Sequence, residues 1–585
     1  MRSVSKVWRI RPQDASGARR LAIELKISDV VARLLASRGL SDPQAAGRFL
    51  NPVLSNFHAP ASLPGVGRAA ELIVDAIQTG RRIRIYGDYD ADGVTGTAIL
   101  VRLVEQLGGT VDFHIPHRLD DGYGLNIEAV RKAKDDGVGL LVTVDCGITA
   151  VAEADEARRL GLPLVVTDHH EFQDQLPSAD AIVHPRMPGG YPFAGLSGSG
   201  VAFKLAWVVA QRISGAERVT PELREHLLDA VGLAALGLVA DVVPLQDENR
   251  IFVRHGLARI ASRPSLGLKA LIETCKLKDA KLTAEDVGYK LAPRLNAAGR
   301  LGCALLVVEL LTTKSPVKAR EIAECLDGFN AQRQTIERRM ATEARAMLAE
   351  GPFADDPAIV LASPEWHQGV VGIVAGRITE QFGKPSVLIA SRPNDEVSTG
   401  SGRSVPGVAL HQVLKDCEDV LEGFGGHAAA AGVKVRPSRI ADFRSAFAAS
   451  IARRFPKGLP APRLDLESEI PLVALTLPLI KELEKLEPYG ADNPRPRFLA
   501  AGLEVVPDSA RRLGTENRHL SFRVRQGSTT VKAIAFGMGE RIDELLSAGG
   551  RCSLAFVPRV NEWQGRRSVE MEVVDLQAGS DPRIE

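Results

Sequence analysis

The 585-residue chain is predicted to be a multidomain α/β protein built on a parallel sheet. Three observations carry that expectation. Short apolar runs that read as buried strands, ending at Gly87, Val144 and Thr167, are each followed at once by an acid, Asp88, Asp145 and Asp168. Helical stretches, Val94 to Leu107 and Val151 to Leu160, lie between them and stop at Gly108-Gly109 and Gly161. Near the C-terminus the pattern changes to alternation, as in Leu520-Ser-Phe-Arg-Val-Arg525 and Val531-Lys-Ala-Ile-Ala-Phe536. Strand–helix–strand order means a parallel, doubly wound sheet, which gathers ligand groups at the carboxyl ends of its strands. Alternation over short runs means antiparallel strands.

Taken in order, residues 1 to about 75 read as a helical lead-in broken by Pro52, Pro60 and Pro64. The first α/β domain is expected over about 76–315. Ser315-Pro316 then supplies an N-cap with proline at the first helical position. It opens connecting helices over 316–351, with a break expected near Gly328-Phe-Asn330 and a charged surface that reads as a solvated connector. A second α/β domain follows over 352–455, beginning with the strand Ala358-Ile-Val-Leu-Ala362. Pro456, Pro460 and Pro462 mark the next boundary, because prolines at that density break helices and stiffen linkers. A small five-stranded barrel of OB type is expected over 465–585.

Composition bounds the class. Apolar content of 45% and charged content of 25% are those of a soluble globular protein. No long uncharged apolar run occurs, and Met1-Arg-Ser-Val-Ser-Lys lacks a hydrophobic continuation, so neither a signal peptide nor a membrane span is expected. Six cysteines are scattered without a CxxC pair, which fits a reducing cytoplasm and excludes a thiolate zinc site. The net charge of +1 decides nothing about nucleic acid, since an acidic pocket and a basic track cancel in the sum.

The densest chemistry is Asp88-Tyr-Asp90-Ala-Asp92-Gly93. If the chain stays extended, a period of two puts the three carboxylates on one side. Two like charges about 4 Å apart repel by roughly 4 kcal/mol at an effective dielectric near 20. A divalent cation is the simplest counter-charge. The spacing also matches the start of an EF-hand loop, but position twelve is Ile99 rather than a bidentate Glu, and a strand precedes it rather than a helix. A solvated acidic turn is the plain alternative. Against it stand three further segments that end in acids, Leu140-Leu-Val-Thr-Val-Asp145, Leu164-Val-Val-Thr-Asp168-His169-His170 and Ala234 to Asp241. In a doubly wound sheet Asp90, Asp92, Asp145, Asp168 and His169 fall on one edge.

These segments, with Val144-Asp-Cys-Gly and Ala240-Asp-Val-Val-Pro-Leu, resemble the ordered motifs of the DHH phosphoesterase superfamily, most closely its single-stranded-DNA-specific exonucleases. The likeness runs from about residue 50 to the C-terminus. It implies a two-cation centre, Mn2+ or Mg2+, in which Asp90 and Asp145, assisted by Asp88, hold the first ion. Asp92, Asp145, His169 and Asp241 hold the second, with Asp145 shared. A family histidine four residues before Asp90 is Tyr86 here. His170 is expected to face substrate, and Asp168 to orient a ligating histidine. Two cations clamp a phosphodiester and activate water, so no protein nucleophile is required.

Ser398-Thr-Gly-Ser401-Gly-Arg403 and Gly425-Gly426-His427 resemble the DHH-associated domain, whose glycine loops take the substrate's terminal phosphate. Arg294-Leu-Asn296-Ala-Ala-Gly-Arg300 resembles a segment near the DNA path. In the expected barrel Phe522, Arg523, Trp563 and Arg566, with Arg511, Arg512, Arg518, Arg525 and Arg567, interleave aromatics with positive charge as single-strand-binding OB folds do. Phe522 and Trp563 fit a barrel core equally. The expected activity is 5′→3′ hydrolysis of single-stranded DNA to mononucleotides in repair and recombination, the polarity and product coming from the resemblance alone. The alternatives are a phosphodiesterase for short oligoribonucleotides or cyclic dinucleotides, and a non-catalytic scaffold. The resemblance also implies a helicase and a single-strand-binding protein as partners. A cytoplasmic monomer is expected.

Overall fold

In the computed structural model, which describes residues 6–118, 120–172, 174–277, 281–351, 356–392, 395–547 and 549–585, the chain divides into two units. One is Leu54–Pro460; the other joins residues 6–53 to Ala461–Glu585. Among the described residues no helix is long and apolar enough to cross a membrane.

The first unit is organised by a five-stranded, all-parallel sheet in the spatial order Val111–His114, Ile83–Gly87, Leu140–Val144, Leu164–Thr167, Ala181–Val183. Counted along the chain this is order 2-1-3-4-5, whose reversal falls between the first and third strands, where doubly wound sheets place ligands. Leu140–Val144 is buried at every position, as expected of a strand covered on both faces. The helix Ala91–Gln106 lies between the sheet and two apolar helices, Gly198–Ser214 and Pro221–Ala240, and is buried along most of its length. Small residues allow this crowding: a Cβ on Gly96 would fall 2.6 Å from Val144 Cγ1 and 3.2 Å from Ser199 Cα.

The helix Pro316–Glu350 runs unbroken for 35 residues. The expected interruption near Gly328-Phe-Asn330 does not occur. Asn330 is buried and accepts a bond from Arg333 Nη2 at 2.7 Å, so its side chain is satisfied inside the helix rather than at a cap. The sheet that follows has the order Gly423–Gly426, Ala430–Val435, Ser398–Arg403, Ser386–Ala390, Ile359–Ser363. Only its last two strands pair parallel.

In the second unit the strands Phe498–Val505, Arg551–Trp563, Arg566–Ala578, Thr529–Ala535 and His519–Gln526 pair in succession, and Phe498–Val505 also pairs with His519–Gln526. That closes a five-stranded barrel, with Ser468–Glu469 and Arg511–Leu513 added at its margins. The expected lead-in over 1–75 is divided between the units, and part of it is strand rather than helix. Val7–Ile10 pairs parallel with Arg463–Leu466, and the buried Trp8 donates its indole N–H to Asp575 at 2.9 Å. The helices Ala15–Leu25, Asp29–Ser37 and Pro43–Leu50 complete a core shared with barrel residues such as Phe498, Leu520 and Phe556. The helix Val66–Gln78 belongs to the first unit.

Candidate active site

The carboxyl edge of the parallel sheet brings the acids together through a turn. The strand Ile83–Gly87 ends, Asp88 N–H bonds Val144 O at 3.1 Å, and Asp90 caps the next helix, accepting from Asp92 N at 2.9 Å and Gly93 N at 3.1 Å. A Cβ on Gly93 would sit 2.6 Å from Asp88 O, so the turn needs glycine there. The three acids are therefore not one side of an extended run, as the alternation suggested; Asp88 lies in the turn, Asp90 is the cap and Asp92 is in the first helical turn. Asp145 follows its strand at φ 64°, a left-handed position that Asp tolerates better than most residues. Asp241 caps the C-terminus of Pro221–Ala240 and precedes Val242 at φ 60°.

These turns converge three sets of ligand atoms, each set within 4.8 Å: Asp88, Asp90 and Asp145; Asp92, His169 and Asp241; and Asp145, His169 and His170. His169 Nε2 lies 3.1 Å from Asp145 Oδ1 and 3.6 Å from Asp241 Oδ2. Yet Asp88 Oδ1, Asp92 Oδ2, Asp145 Oδ1 and His169 Nε2 are all buried without a hydrogen-bond partner. Unpaired buried polar atoms are costly, and four of them distributed over these ligand groups are what a cation centre requires. The carboxylates feel the same crowding. Burial, then the charges of Asp92 and Asp90, pushes Asp241 up to about 9. Burial and Asp90 push Asp92 up to about 6, and burial with the neighbouring acids raises Asp88 and Asp145 well above the usual range. Burial and the charge of His170 lower His169 to about 3, so its imidazole is neutral, the form that ligates metal. The donor set of carboxylates and one neutral imidazole suits Mn2+ or Mg2+.

His170 is held differently. Its Nδ1 lies 2.8 Å from Asp168 Oδ1, and Asp168 also accepts from Ile148 N at 3.0 Å and His169 N at 2.7 Å. Burial works against the His170 cation, but the bond to Asp168 prevails and its pKa rises to about 9. Asp168 in turn falls to about 2, its burial outweighed by the His170 bond and charge. Asp168 thus orients the ring of His170, not that of His169. Tyr123 Oη approaches His170 Nδ1 at 3.2 Å, and Tyr86, buried, donates to Gly124 O at 2.9 Å beneath that loop.

Beside the acids opens a cleft of about 770 Å³ lined by Tyr89, Arg118, Tyr123, Ser401, Arg403, Gly425 and Gly426 among others. Arg403 Nη1 donates to Ser401 Oγ at 2.9 Å and to Gly402 O at 2.8 Å. Burial, then the charge of Arg118, lowers the pKa of Arg403, and Arg118 stacks 4.7 Å over the Tyr89 ring. Arg300 is half-buried close by, donates to Gly369 O at 2.9 Å, and is lowered to about 10 by desolvation and by Arg118, Arg333 and Arg403. Crowded guanidiniums of this kind call for an anion.

The remaining expected site residues differ in what they contact. Arg294 is tied to Asp327 Oδ1 at 2.8 Å and to Lys290 O at 2.7 Å, joining two helices rather than facing the cleft. Asn296 Oδ1 accepts from Ala91 N at 2.8 Å and so braces the acidic turn. His427 is exposed, and its backbone N–H closes a turn onto Ala430 O at 2.8 Å. Phe522 is 1% exposed in the barrel core, because its place in the alternation of His519–Gln526 points inward, whereas Trp563 is 71% exposed at the hairpin end beside Arg566. Arg523 is exposed. The sequence reading missed Arg118 and Tyr123, flagged only by Gly122 and Gly124 around the tyrosine, and Ser197-Gly-Ser199-Gly, a run of small residues opening an apolar helix.

Family models match in chain order: the DHH family N-terminal domain over residues 82–235, the DHHA1 domain over 355–453 and the RecJ OB domain over 466–575. The single-stranded-DNA-specific exonuclease RecJ of Bacillus subtilis (strain 168) is 37% identical over 571 residues, covering 97% of this chain and 70% of that protein. The crystal structure of RecJ in complex with Mn2+ from Thermus thermophilus superposes with a TM-score of 0.83 at 34% identity, covering 98% of this chain and 80% of that one. The Mg2+ complex from the same organism gives 0.77 at 32%, covering 99% and 79%. The chain belongs to the RecJ family of the DHH superfamily.

Proposed function

We propose that this protein is a metal-dependent exonuclease that hydrolyses single-stranded DNA from the 5′ end to mononucleotides, using two divalent cations, Mn2+ or Mg2+. The observation that carries the reading is the convergence of four buried ligand atoms without partners beside an arginine-lined cleft. Asp88, Asp90 and Asp145 would hold one ion, and Asp92, His169 and Asp241 the other, with Asp145 between them. Such a pair supplies charge neutralisation for the scissile phosphate and activates water. The chain's own groups do the rest. Arg403, Ser401 and Arg118 bind the terminal phosphate, and Arg300 adds positive charge behind them. Tyr89 and Tyr123, edge to face at 6.4 Å, give the first nucleotide an aromatic wall. His170, kept protonated by Asp168, donates to a phosphate oxygen or to the leaving group. Measuring one nucleotide from a bound terminal phosphate accounts for mononucleotide release.

The exposed Trp563 with Arg566 and Arg523 offers the barrel's contact for the strand. A helicase and a single-strand-binding protein are its expected partners in repair and recombination, in the cytoplasm and as a monomer. The test is release of nucleotides from end-labelled single strands, with and without a 5′-phosphate, under Mn2+, Mg2+ or chelator. Asp145→Ala is expected to abolish metal-dependent release, and turnover at the wild-type rate would reject the metal assignment.

A further inference from the structure

Asp92 presents its two oxygens to opposite worlds. Oδ2 is buried and unpartnered, and Asp92 offers a carboxylate oxygen to the group with His169 and Asp241. Oδ1 accepts three bonds, from Ser197 Oγ at 2.8 Å, Ser199 Oγ at 2.5 Å and Ser199 N at 3.1 Å. A carboxylate oxygen has about two lone-pair sites, so three donors leave it nothing for a cation. Both serines are fully buried, and bonds to a charged acceptor inside a protein are short and strong.

The donors are themselves fixed. Ser197 Oγ accepts from Gly200 N at 3.4 Å as the N-cap of the helix Gly198–Ser214, and the two hydroxyls lie 3.1 Å apart. Ser199 Oγ has a second acceptor in reach, Ala234 O at 3.3 Å, but the shorter contact to Asp92 holds its single proton. Glycines make room on both sides. A Cβ on Gly198 would fall 2.5 Å from Asp145 Oδ1, and one on Gly237 would fall 2.3 Å from both Asp92 Oδ1 and Ser199 Oγ. Asp92 cannot turn to offer both oxygens without breaking three bonds and meeting the Pro221–Ala240 helix.

We infer that Ser197 and Ser199 are positioning residues that lock Asp92 as a one-oxygen ligand, and that this lock biases the cation centre toward Mn2+ and Mg2+ over Ca2+. The inference rests on the metal reading above. Mg2+ demands near-octahedral single contacts at short distance, whereas Ca2+ accepts six to eight oxygens and readily takes a carboxylate through both. With the lock removed, Asp92 is free to chelate through both oxygens, which suits the larger ion. Groups that orient metal ligands typically change metal affinity about 10–100-fold when removed.

The experiment is titration of the full chain with Mn2+, by calorimetry and by the loss of the free-ion electron paramagnetic resonance signal, followed by displacement with Ca2+. Wild type is compared with Ser199→Ala and with Ser197→Ala, and the thermal melt in chelator verifies folding. Mn2+ affinity is expected to fall about 10-fold in Ser199→Ala, with Ca2+ displacing Mn2+ at several-fold lower concentration than in wild type. A general loss of packing weakens both ions alike, so the Ca2+ to Mn2+ ratio separates positioning from mere stability. Should Ser199→Ala not fold, Ser197→Ala is read in the same way. An unchanged ratio in folded variants overturns the lock while leaving the metal reading intact. A wild type that binds no Mn2+ overturns the metal reading, and the lock with it.

Discussion

Asp168 and His170 show how one buried pair divides its chemistry. Burial alone keeps a carboxyl protonated and an imidazole neutral, yet Asp168 falls to about 2 and His170 rises to about 9 because each satisfies the other. Asp168→Asn removes the anion that keeps His170 charged. Nucleotide release is expected to drop about 10²-fold, the size of a general-acid contribution, and the alkaline limb of its pH profile to move from near 9 toward 6.5. A rate within twofold of wild type would show that His170 needs no such partner. The acids proposed to hold metal were legible only in part: Asp88 and Asp145 follow apolar strands, whose ends β–α alternation gathers at one edge, whereas Asp90 and Asp92 open a helix and Asp241 ends one. Ser197 and Ser199 were not legible, since a serine at a helix start signals a cap and nothing about a carboxylate 105 or 107 residues away. The same limit governs Phe522 and Trp563, two aromatics with one chemistry and opposite burial. Phe522→Ala is expected to cost about 3–5 kcal/mol of barrel stability. Trp563→Ala should leave the melt unchanged and weaken single-strand binding by about 1–3 kcal/mol, read by fluorescence anisotropy.

Elements hold to sequence rules until a partner overrides them. Gly328-Phe-Asn330 carries helix-stop residues, but a Cβ on Gly328 would meet nothing within 4 Å and Asn330 finds Arg333, so Pro316–Glu350 continues. Arg333 also pairs with the buried Glu337 at 2.5 Å, and Arg377 pairs with the same acid. The first of these pairs has the i,i+4 spacing of one helix face, but no local pattern announces Arg377, which comes from the helix Val371–Phe382. Where Ala91–Gln106 packs against Pro221–Ala240, His226 is lowered to about 4, first by burial and then by Arg102, against a smaller pull from Asp229. The sign follows from linkage. Between about 6.5 and about 4 the unfolded chain holds a proton on this histidine that the folded chain refuses, so stability falls as pH falls across that window. The loss is up to about 3 kcal/mol, because one pKa unit is worth about 1.4 kcal/mol. His226→Leu is expected to flatten that slope, measured as the difference between variant and wild-type urea midpoints from about pH 7 to about pH 4.5. Parallel slopes for the two proteins would show that the histidine titrates normally in the fold.

For the whole molecule, periodicity placed the sheets and the barrel, but not the company that the first fifty residues keep. Their helices are amphipathic and read locally as a lead-in; what assigns them is a strand register with Arg463–Leu466 and an indole bond to Asp575, both more than 450 residues away in sequence. This changes how the units are to be separated. Removing 465–585 alone strips the partners from Leu21, Leu34 and Leu35, which share their core with Leu483, Leu486 and Phe498. That leaves an exposed apolar surface and a product expected to aggregate. Removing both 1–53 and 461–585 instead leaves Leu54–Pro460 with its own cores and with every residue of the acidic edge and the arginine cleft. The 54–460 fragment is expected to unfold cooperatively, to keep metal-dependent release from short 5′-phosphorylated oligonucleotides within about threefold, and to bind long single strands about 10-fold or more weaker, as loss of stacking and basic contacts on an OB surface requires. Steady-state kinetics on substrates of graded length read both effects at once. A fragment that is folded and equally proficient on long strands would remove the barrel from substrate binding, and one that is folded but inactive on every length would mean that the second unit contributes to the chemistry itself.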